Sequence, residues 1–183
     1  TVLFHAAAGG VGLIACQWLK SLGATVIGTV GTEEKAEVAK LHGCDHTIIY
    51  SRENFTERVL DITNGQKVPV VFDSVGKDTF AGSLDCLKPR GLMCVFGNGS
   101  GPVEAFDIND LAPRGSLYVT RPTLMTYTAQ REDLVEGANE LFQLVGSGKI
   151  KIDINQTYHL SDAAQAHYDL EARKTTGSTI LMP

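Results

Sequence analysis

Residues 2–12 read Val2-Leu3-Phe4-His5-Ala6-Ala7-Ala8-Gly9-Gly10-Val11-Gly12. The apolar start is typical of a short buried strand, and the apolar residues after Gly12 predict a helix. A strand that passes through a glycine-rich turn into a helix is how a doubly wound sheet holds the pyrophosphate of a dinucleotide. The start of the helix offers unpaired amide groups and a positive dipole end, and small residues let a phosphate approach the backbone.

The turn departs from the dinucleotide fingerprint G-x-G-x-x-G at one position. Counting back from Gly12, Gly9 is in place, but Ala7 stands where the first glycine would be, and Gly10 is additional. Alanine fits a tight turn there if its φ is negative. A glycine-rich helix entry without any ligand would accept the same residues, but the order of strand, turn and helix favours a nucleotide site.

Strand and helix patterns alternate as far as residue 120. This alternation predicts an α/β fold, a doubly wound and mostly parallel Rossmann sheet of six strands, in a domain over residues 1–124. The predicted strands are residues 1–6, 24–30, 46–50, 68–73, 92–96 and 116–120. Ser51 is the predicted cap of a helix over 53–63, and the sequence Pro89-Arg90-Gly91 predicts a turn before the fifth strand.

Residues 125–183 have a different character. A long amphipathic helix is predicted over 129–146, and the alternation of Ile150, Ile152 and Ile154 with polar residues predicts a half-exposed strand. A short helix over 161–172 and a final strand over 178–182 complete this α+β tail. Because the chain opens at Thr1 inside a strand, we expect it to be part of a longer protein, and we expect the tail to pack on the missing N-terminal portion.

Composition narrows the class of protein. The 183 residues are 43% hydrophobic and 20% charged, which is typical of a globular protein. The net charge of −5 does not support a nucleic-acid surface, and no apolar run reaches membrane-spanning length. The four cysteines (Cys16, Cys44, Cys86 and Cys94) form no C-x-x-C pair. We therefore expect buried thiols in a reducing compartment, the cytoplasm, and no metal site.

The end of the second strand bears on which dinucleotide is bound. An NAD site usually places an acidic residue there, about 20 residues after the turn, but this sequence reads Thr29-Val30-Gly31-Thr32. Glu33 and Glu34 fall in the first helical turn, where the dipole favours carboxylates in any case. A neutral strand end followed by Lys35 favours NADP over NAD. Tyr50, at the end of the third strand, either borders the adenine side or is an ordinary rim tyrosine.

Several segments together resemble the NADPH:quinone oxidoreductases, the zinc-free, zeta-crystallin-like branch of the medium-chain dehydrogenase/reductase superfamily. They are residues 5–12, Gly28-Thr29-Val30-Gly31-Thr32, Phe72-Asp73-Ser74-Val75-Gly76, residues 84–91, Phe96-Gly97-Asn98 and residues 172–178. The resemblance spans the whole chain. It implies a two-domain parent protein, in which an N-terminal catalytic domain is followed by a nucleotide-binding domain and by a C-terminal segment that returns to the catalytic domain. This chain would contain the nucleotide-binding domain and the C-terminal segment.

The resemblance also implies residue roles. Gly9, Gly10 and Val11 would line the pyrophosphate. Gly31, Thr32 and Lys35 would hold the 2′-phosphate end, with Tyr50 beside it and Arg173 reaching back to the cofactor phosphate. Ser74 and Val75 would lie near the riboses, and Phe96, Gly97 and Asn98 near the nicotinamide half, with Thr123 following the sixth strand. The edge strand near Ser116–Thr120 would pair across a homodimer.

The implied reaction is hydride transfer from NADPH to a quinone or similar electron-poor acceptor. We assign no catalytic residue in this chain, because no histidine has a carboxylate at a sequence spacing that would indicate a catalytic pair. His5 is expected to be structural. Tyr-x-x-x-Lys of the short-chain dehydrogenases is absent, whereas the zinc ligands of an alcohol dehydrogenase would precede this segment. An enoyl or alkenal reductase of the same superfamily and a non-catalytic NADPH-binding module remain as alternatives.

Overall fold

The computed structural model describes residues 1–183, and its main feature is one sheet of six parallel strands. The strands are β1 (Val2–Phe4), β2 (Val26–Val30), β3 (His46–Ile49), β4 (Val68–Asp73), β5 (Leu87–Val95) and β6 (Tyr118–Thr120). Their order is β3-β2-β1-β4-β5-β6, which confirms the predicted doubly wound sheet. The strand order reverses between β1 and β4, so the crevice at their carboxyl ends is where such sheets bind ligands.

Four helices cover both faces of this sheet. They are α1 (Gly10–Ser21), α2 (Glu33–Leu41), α3 (Phe55–Ile62) and α4 (Phe80–Cys86). Successive strand residues point to opposite faces, so Leu3 packs in a core with α3 and α4, while Val2 and Phe4 pack in a second core with α1 and α2. The continuous apolar strands follow from this burial on both faces.

Two local predictions need correction. Asn54, not Ser51, caps α3, because its side-chain oxygen accepts hydrogen bonds from the amides of Thr56 and Glu57; Ser51 instead donates its hydroxyl to the Gly31 carbonyl at 2.9 Å. The predicted turn at residues 89–91 is a bulge inside β5. Val68 pairs with Leu87 and Val70 pairs with Leu92. Residues 88–91 of β5 therefore lie opposite the single residue of β4 between Val68 and Val70.

The tail contains α5 (Leu124–Tyr127), α6 (Arg131–Gly146), β7 (Ile154–His159), α7 (Ala163–Glu171) and β8 (Ser178–Met182). The final strand is where it was predicted, and it pairs in parallel with β7. The strand predicted around Ile150–Ile154 is wrong, because β7 begins at its end. The Gln17 side chain bonds both the amide and the carbonyl of Lys151, so this backbone is satisfied outside any sheet.

The tail touches the main sheet where the glycine-rich turn lies. The amide of Gly177 donates to the carbonyl of Ala8 at 2.9 Å, and Gly177 bridges Gly9 in parallel. By contrast, α6 buries none of its residues, and Phe142 on its apolar face is 67% exposed. None of the helices is both long and apolar enough to span a membrane.

Candidate functional site

The glycine-rich turn ends in a helix start with free amide groups. Gly9 caps α1 without a side-chain hydrogen bond, and the first turn of α1 carries no acidic residue. The amides of Val11 and Gly12 donate to no acceptor in the chain, whereas the amide of Gly10 faces the Gly177 carbonyl across the bridge between Gly9 and Gly177. Val11 is 63% exposed. An open helix start with two unpaired amides suits an anionic group such as a pyrophosphate.

The turn requires glycine because the backbone folds back on itself. A Cβ on Gly12 would lie 2.5 Å from the carbonyl oxygen of Ala6 and 2.6 Å from that of Ala7. The bend itself is made by Ala6, whose φ is +55°, a conformation that L residues seldom adopt. Ala7 keeps a negative φ, as the sequence reading required, but nothing in the sequence identified Ala6 as the strained position.

A second cluster forms where β2 and β3 end. The Lys35 ammonium donates to the main-chain carbonyl of Arg173 at 2.6 Å, and the Thr32 hydroxyl accepts from the Lys35 amide at 3.3 Å. A Cβ on Gly31 would lie 2.9 Å from the Tyr50 hydroxyl oxygen. The structure thus gathers all five residues that the resemblance assigned to the 2′-phosphate end. We refer to Gly31, Thr32, Lys35, Tyr50 and Arg173 as the phosphate cluster.

Two positively charged side chains, Lys35 and Arg173, lie near each other in the phosphate cluster. Partial burial lowers the pKa of Lys35, and the nearby Arg173 guanidinium lowers it further. The hydrogen bond that the Lys35 ammonium makes goes to a neutral carbonyl, so this contact brings no negative charge to offset the two effects. An anion between Lys35 and Arg173 would relieve this repulsion.

The carboxyl ends of β4 and β5 form a third part of the crevice. The buried Asp73 carboxylate accepts hydrogen bonds from the amide of Val75 at 2.7 Å, from that of Gly76 at 3.1 Å and from the Thr79 hydroxyl at 2.8 Å. A Cβ on Gly97 would lie 2.5 Å from the Ser74 carbonyl oxygen. These contacts hold the predicted residues that follow each strand (Ser74, Val75, Phe96 and Gly97) against one another.

Asn98 and Thr123 extend this edge toward β6. Asn98 lines a cavity of about 510 Å³, together with Phe80, Phe106 and Arg121. Thr123 precedes α5 and shares a hydrogen bond between hydroxyl groups with Thr126 at 2.8 Å, without lining that cavity. Arg121 was missed by the sequence reading, although a cation directly after a parallel strand is a usable signal. Its guanidinium donates to the Val95 carbonyl at 3.1 Å.

His5 lies beneath the crevice and is fully buried. Its two ring nitrogens bond the hydroxyl oxygens of Thr29 and Ser83, each at 2.9 Å. Burial lowers the pKa of His5 to about 4, against a smaller opposing effect from the Asp73 carboxylate. The ring is therefore neutral near pH 7 and ties β1 to β2 and α4, as expected of a structural histidine.

Comparison with known proteins places this geometry in a family. The profile described as zinc-binding dehydrogenase matches residues 10–143. The chain is 58% identical over its full length to a quinone oxidoreductase of Pseudomonas aeruginosa and 49% identical to a 2-haloacrylate reductase of a Burkholderia species. It superposes with a TM-score of 0.97 on the crystal structure of Escherichia coli quinone oxidoreductase complexed with NADPH, at 56% identity.

The chain is shorter than these relatives. It is matched over 100% of its own length in each case, but covers only 56% of the Pseudomonas protein, 55% of the Burkholderia protein and 56% of the E. coli structure. The residues present do not form a zinc site, since no three His, Cys, Asp or Glu side chains are grouped to hold a metal ion. The match over residues 10–143 nevertheless shows that this chain belongs to the zinc-binding dehydrogenase family.

Proposed function

We propose that this chain is the cofactor-binding part of an NADPH-dependent quinone reductase. The observation that carries the proposal is that two groups of donors suited to anions lie at one crevice. They are the free amides of Val11 and Gly12, and the phosphate cluster around Lys35. A pyrophosphate and a 2′-phosphate are the two anionic groups of NADPH. The E. coli relative that superposes on the chain is complexed with that cofactor.

The chemistry divides between cofactor and protein. NADPH, when bound, supplies a hydride, and a quinone that takes the hydride and a proton becomes a hydroquinone, leaving NADP⁺. The residues of this chain bind and orient. The start of α1 holds the pyrophosphate, the phosphate cluster selects the 2′-phosphate, and the segments after β4 and β5 line the nicotinamide half. No side chain of the chain is assigned a proton-transfer role.

The test uses the full-length protein that contains this chain. Calorimetric titration with NADPH and NADH should show tighter binding of NADPH, and oxidation of NADPH followed at 340 nm should depend on an added 1,4-benzoquinone. A preference for NADH would overturn the reading of the phosphate cluster. Binding of NADPH without turnover of any acceptor would show that the protein is a non-catalytic NADPH-binding module.

A reductase of electron-poor alkenes is the second candidate function. It is supported by the 49% identity to a 2-haloacrylate reductase. Quinones and such alkenes both accept a hydride at an electron-poor carbon, so the cofactor half of the site would be the same for both. The acceptor is distinguished by comparing kcat/KM for a 1,4-benzoquinone, an alkenal and 2-chloroacrylate in the same protein.

Assembly is a further part of the proposal. The exposed apolar face of α6 would pack on a part of a longer parent protein outside this chain, so that residues 1–124 form the Rossmann domain and 125–183 return to the catalytic domain. β6 is the free edge of the sheet, and Tyr118 there is 61% exposed. An exposed edge strand invites pairing with another chain, here a second copy. The free cysteines suit the reducing cytoplasm.

The dimer is tested by the molar mass in solution from light scattering. Tyr118→Glu would place like charges at the pairing edge of β6 and should convert a dimer into monomers. Leu41→Glu is the matched control, because Leu41 is 83% exposed at the end of α2, near the opposite edge of the sheet. A wild-type monomer, or a dimer that survives Tyr118→Glu, would contradict pairing through β6.

A further inference from the structure

The phosphate cluster has acidic neighbours. Helix α2 begins with Glu33 and Glu34, directly after its cap residue Thr32. Carboxylates at a helix start favour the helix dipole, but they repel a phosphate dianion that binds at the same place. If the proposed function is right, the cluster must hold a 2′-phosphate despite these two negative charges.

Arg52 lies on the other side of the acidic pair. It follows Tyr50 by two residues, and its guanidinium donates to the Glu33 carboxylate at 3.2 Å. The loop that carries it is anchored to the cluster, since the Ser51 hydroxyl donates to the Gly31 carbonyl at 2.9 Å. Arg52 is therefore held at the rim of the phosphate cluster by the same strand end that forms it.

Arg52 acts on both carboxylates. It is ion-paired with Glu33, and its charge contributes to lowering the pKa of Glu34, after the larger effect of the Thr32 side-chain hydrogen bond. The side chains of Arg52 and Glu33 are 67% and 56% exposed. The pair is thus solvated and free to adjust when a ligand arrives, and it is not needed for packing.

We propose that Arg52 is a specificity-determining residue that makes the phosphate cluster accept a 2′-phosphate by neutralising Glu33. This inference rests on the proposed function. With Arg52 present, Lys35, Arg52 and Arg173 outweigh the two glutamates by one positive charge. Without Arg52 the two signs balance, and the uncovered Glu33 faces the incoming dianion.

The test compares 2′,5′-ADP with 5′-AMP as probes, because they differ by the 2′-phosphate alone. Binding to the full-length protein is measured by calorimetry for the wild type, Arg52→Gln, Glu33→Gln and the double variant. Arg52→Gln should weaken 2′,5′-ADP by about two- to five-fold, the range of an exposed charge interaction, with little change for 5′-AMP. Glu33→Gln should strengthen 2′,5′-ADP by a similar factor, and the double variant should return close to the wild type.

Lys40→Gln is the matched control. Lys40 lies in the last turn of the same helix and pairs with Glu37 at 2.7 Å, so the variant removes the same charge from a similar exposed ion pair. It should leave the ratio of the two affinities unchanged. The effect of Arg52→Gln should also shrink at 1 M salt, where exposed charges are screened.

The outcomes separate the two proposals. A wild-type protein that binds 2′,5′-ADP no more tightly than 5′-AMP would overturn the NADPH assignment itself. A wild-type preference that survives Arg52→Gln unchanged, or that falls as much in Lys40→Gln, would overturn the role of Arg52 alone. Because Arg52, Glu33 and Lys40 are exposed, thermal melting should show that all five proteins are folded equally well.

Discussion

Lys35 and Arg173 are separated by 138 residues, yet the ammonium of Lys35 donates to the carbonyl of Arg173 at 2.6 Å. The contact joins the start of α2 to the loop between α7 and β8. Arg173 holds a φ of +59° in this loop, and four residues further on Gly177 bonds the turn before α1. The tail thus lies beside both proposed anion sites and brings the Arg173 guanidinium close to Lys35.

Lys35→Ala should weaken NADPH far more than NADH. A charge-assisted contact to a phosphate contributes about 1.5–3 kcal/mol, so NADPH affinity should fall by about ten- to a hundred-fold while NADH changes little. Isothermal titration with both cofactors measures this. Lys40→Ala, on the exposed side of α2, should affect neither cofactor, and equal losses for both in Lys35→Ala would show that Lys35 does not contact the 2′-phosphate.

Gly31→Ala should disturb the same end of the cofactor through Tyr50. The added Cβ would lie 2.9 Å from the Tyr50 hydroxyl oxygen, so the Tyr50 ring must move away from Gly31. NADPH binding should weaken by several-fold, on the order of the 1 kcal/mol that one hydrogen bond contributes. In a Tyr50→Phe background the same substitution should cost much less, and full additivity of the two losses would contradict contact through the hydroxyl.

Gly28→Ala should destabilise the fold. Its Cβ would lie 2.6 Å from the Cys44 sulfur and 2.7 Å from the Ala7 Cβ, both in the core between β2 and its helices. Overpacking of this kind costs about 1–3 kcal/mol of unfolding free energy, measurable by urea denaturation. Gly137→Ala in α6 meets nothing within 4 Å and should be neutral or stabilising. A Gly28→Ala protein as stable as the wild type would mean that this core is loosely packed.

The elements that the sequence predicted best are those marked by a local run of apolar or β-branched residues. The strands at 68–73 and 178–182 match β4 and β8 at both ends, and the glycine turn was placed correctly. The strand expected around Ile152 failed because the Gln17 side chain, 134 positions away from Lys151, bonds that backbone. The hydrophobic pattern did not identify Arg52 or Arg121, because both lie in loops after strands. Their places at the edge of the sheet depend on the folded structure.

His5 should make stability depend on pH below about 6.5. Burial lowers its pKa to about 4 in the folded protein from an ordinary 6.5, so between these values the unfolded chain binds a proton that the folded chain does not. Stability therefore rises with pH through this window and is complete above it, by about 3 kcal/mol from this residue. Denaturation of wild type and His5→Gln at pH 5 and pH 7.5 measures it. The difference in unfolding free energy between the two proteins should narrow at pH 5.

His167→Gln, at an exposed site of α7, is the control and should leave the pH profile of the wild type unchanged. If the profiles of His5→Gln and the wild type run parallel, His5 takes up its proton without unfolding.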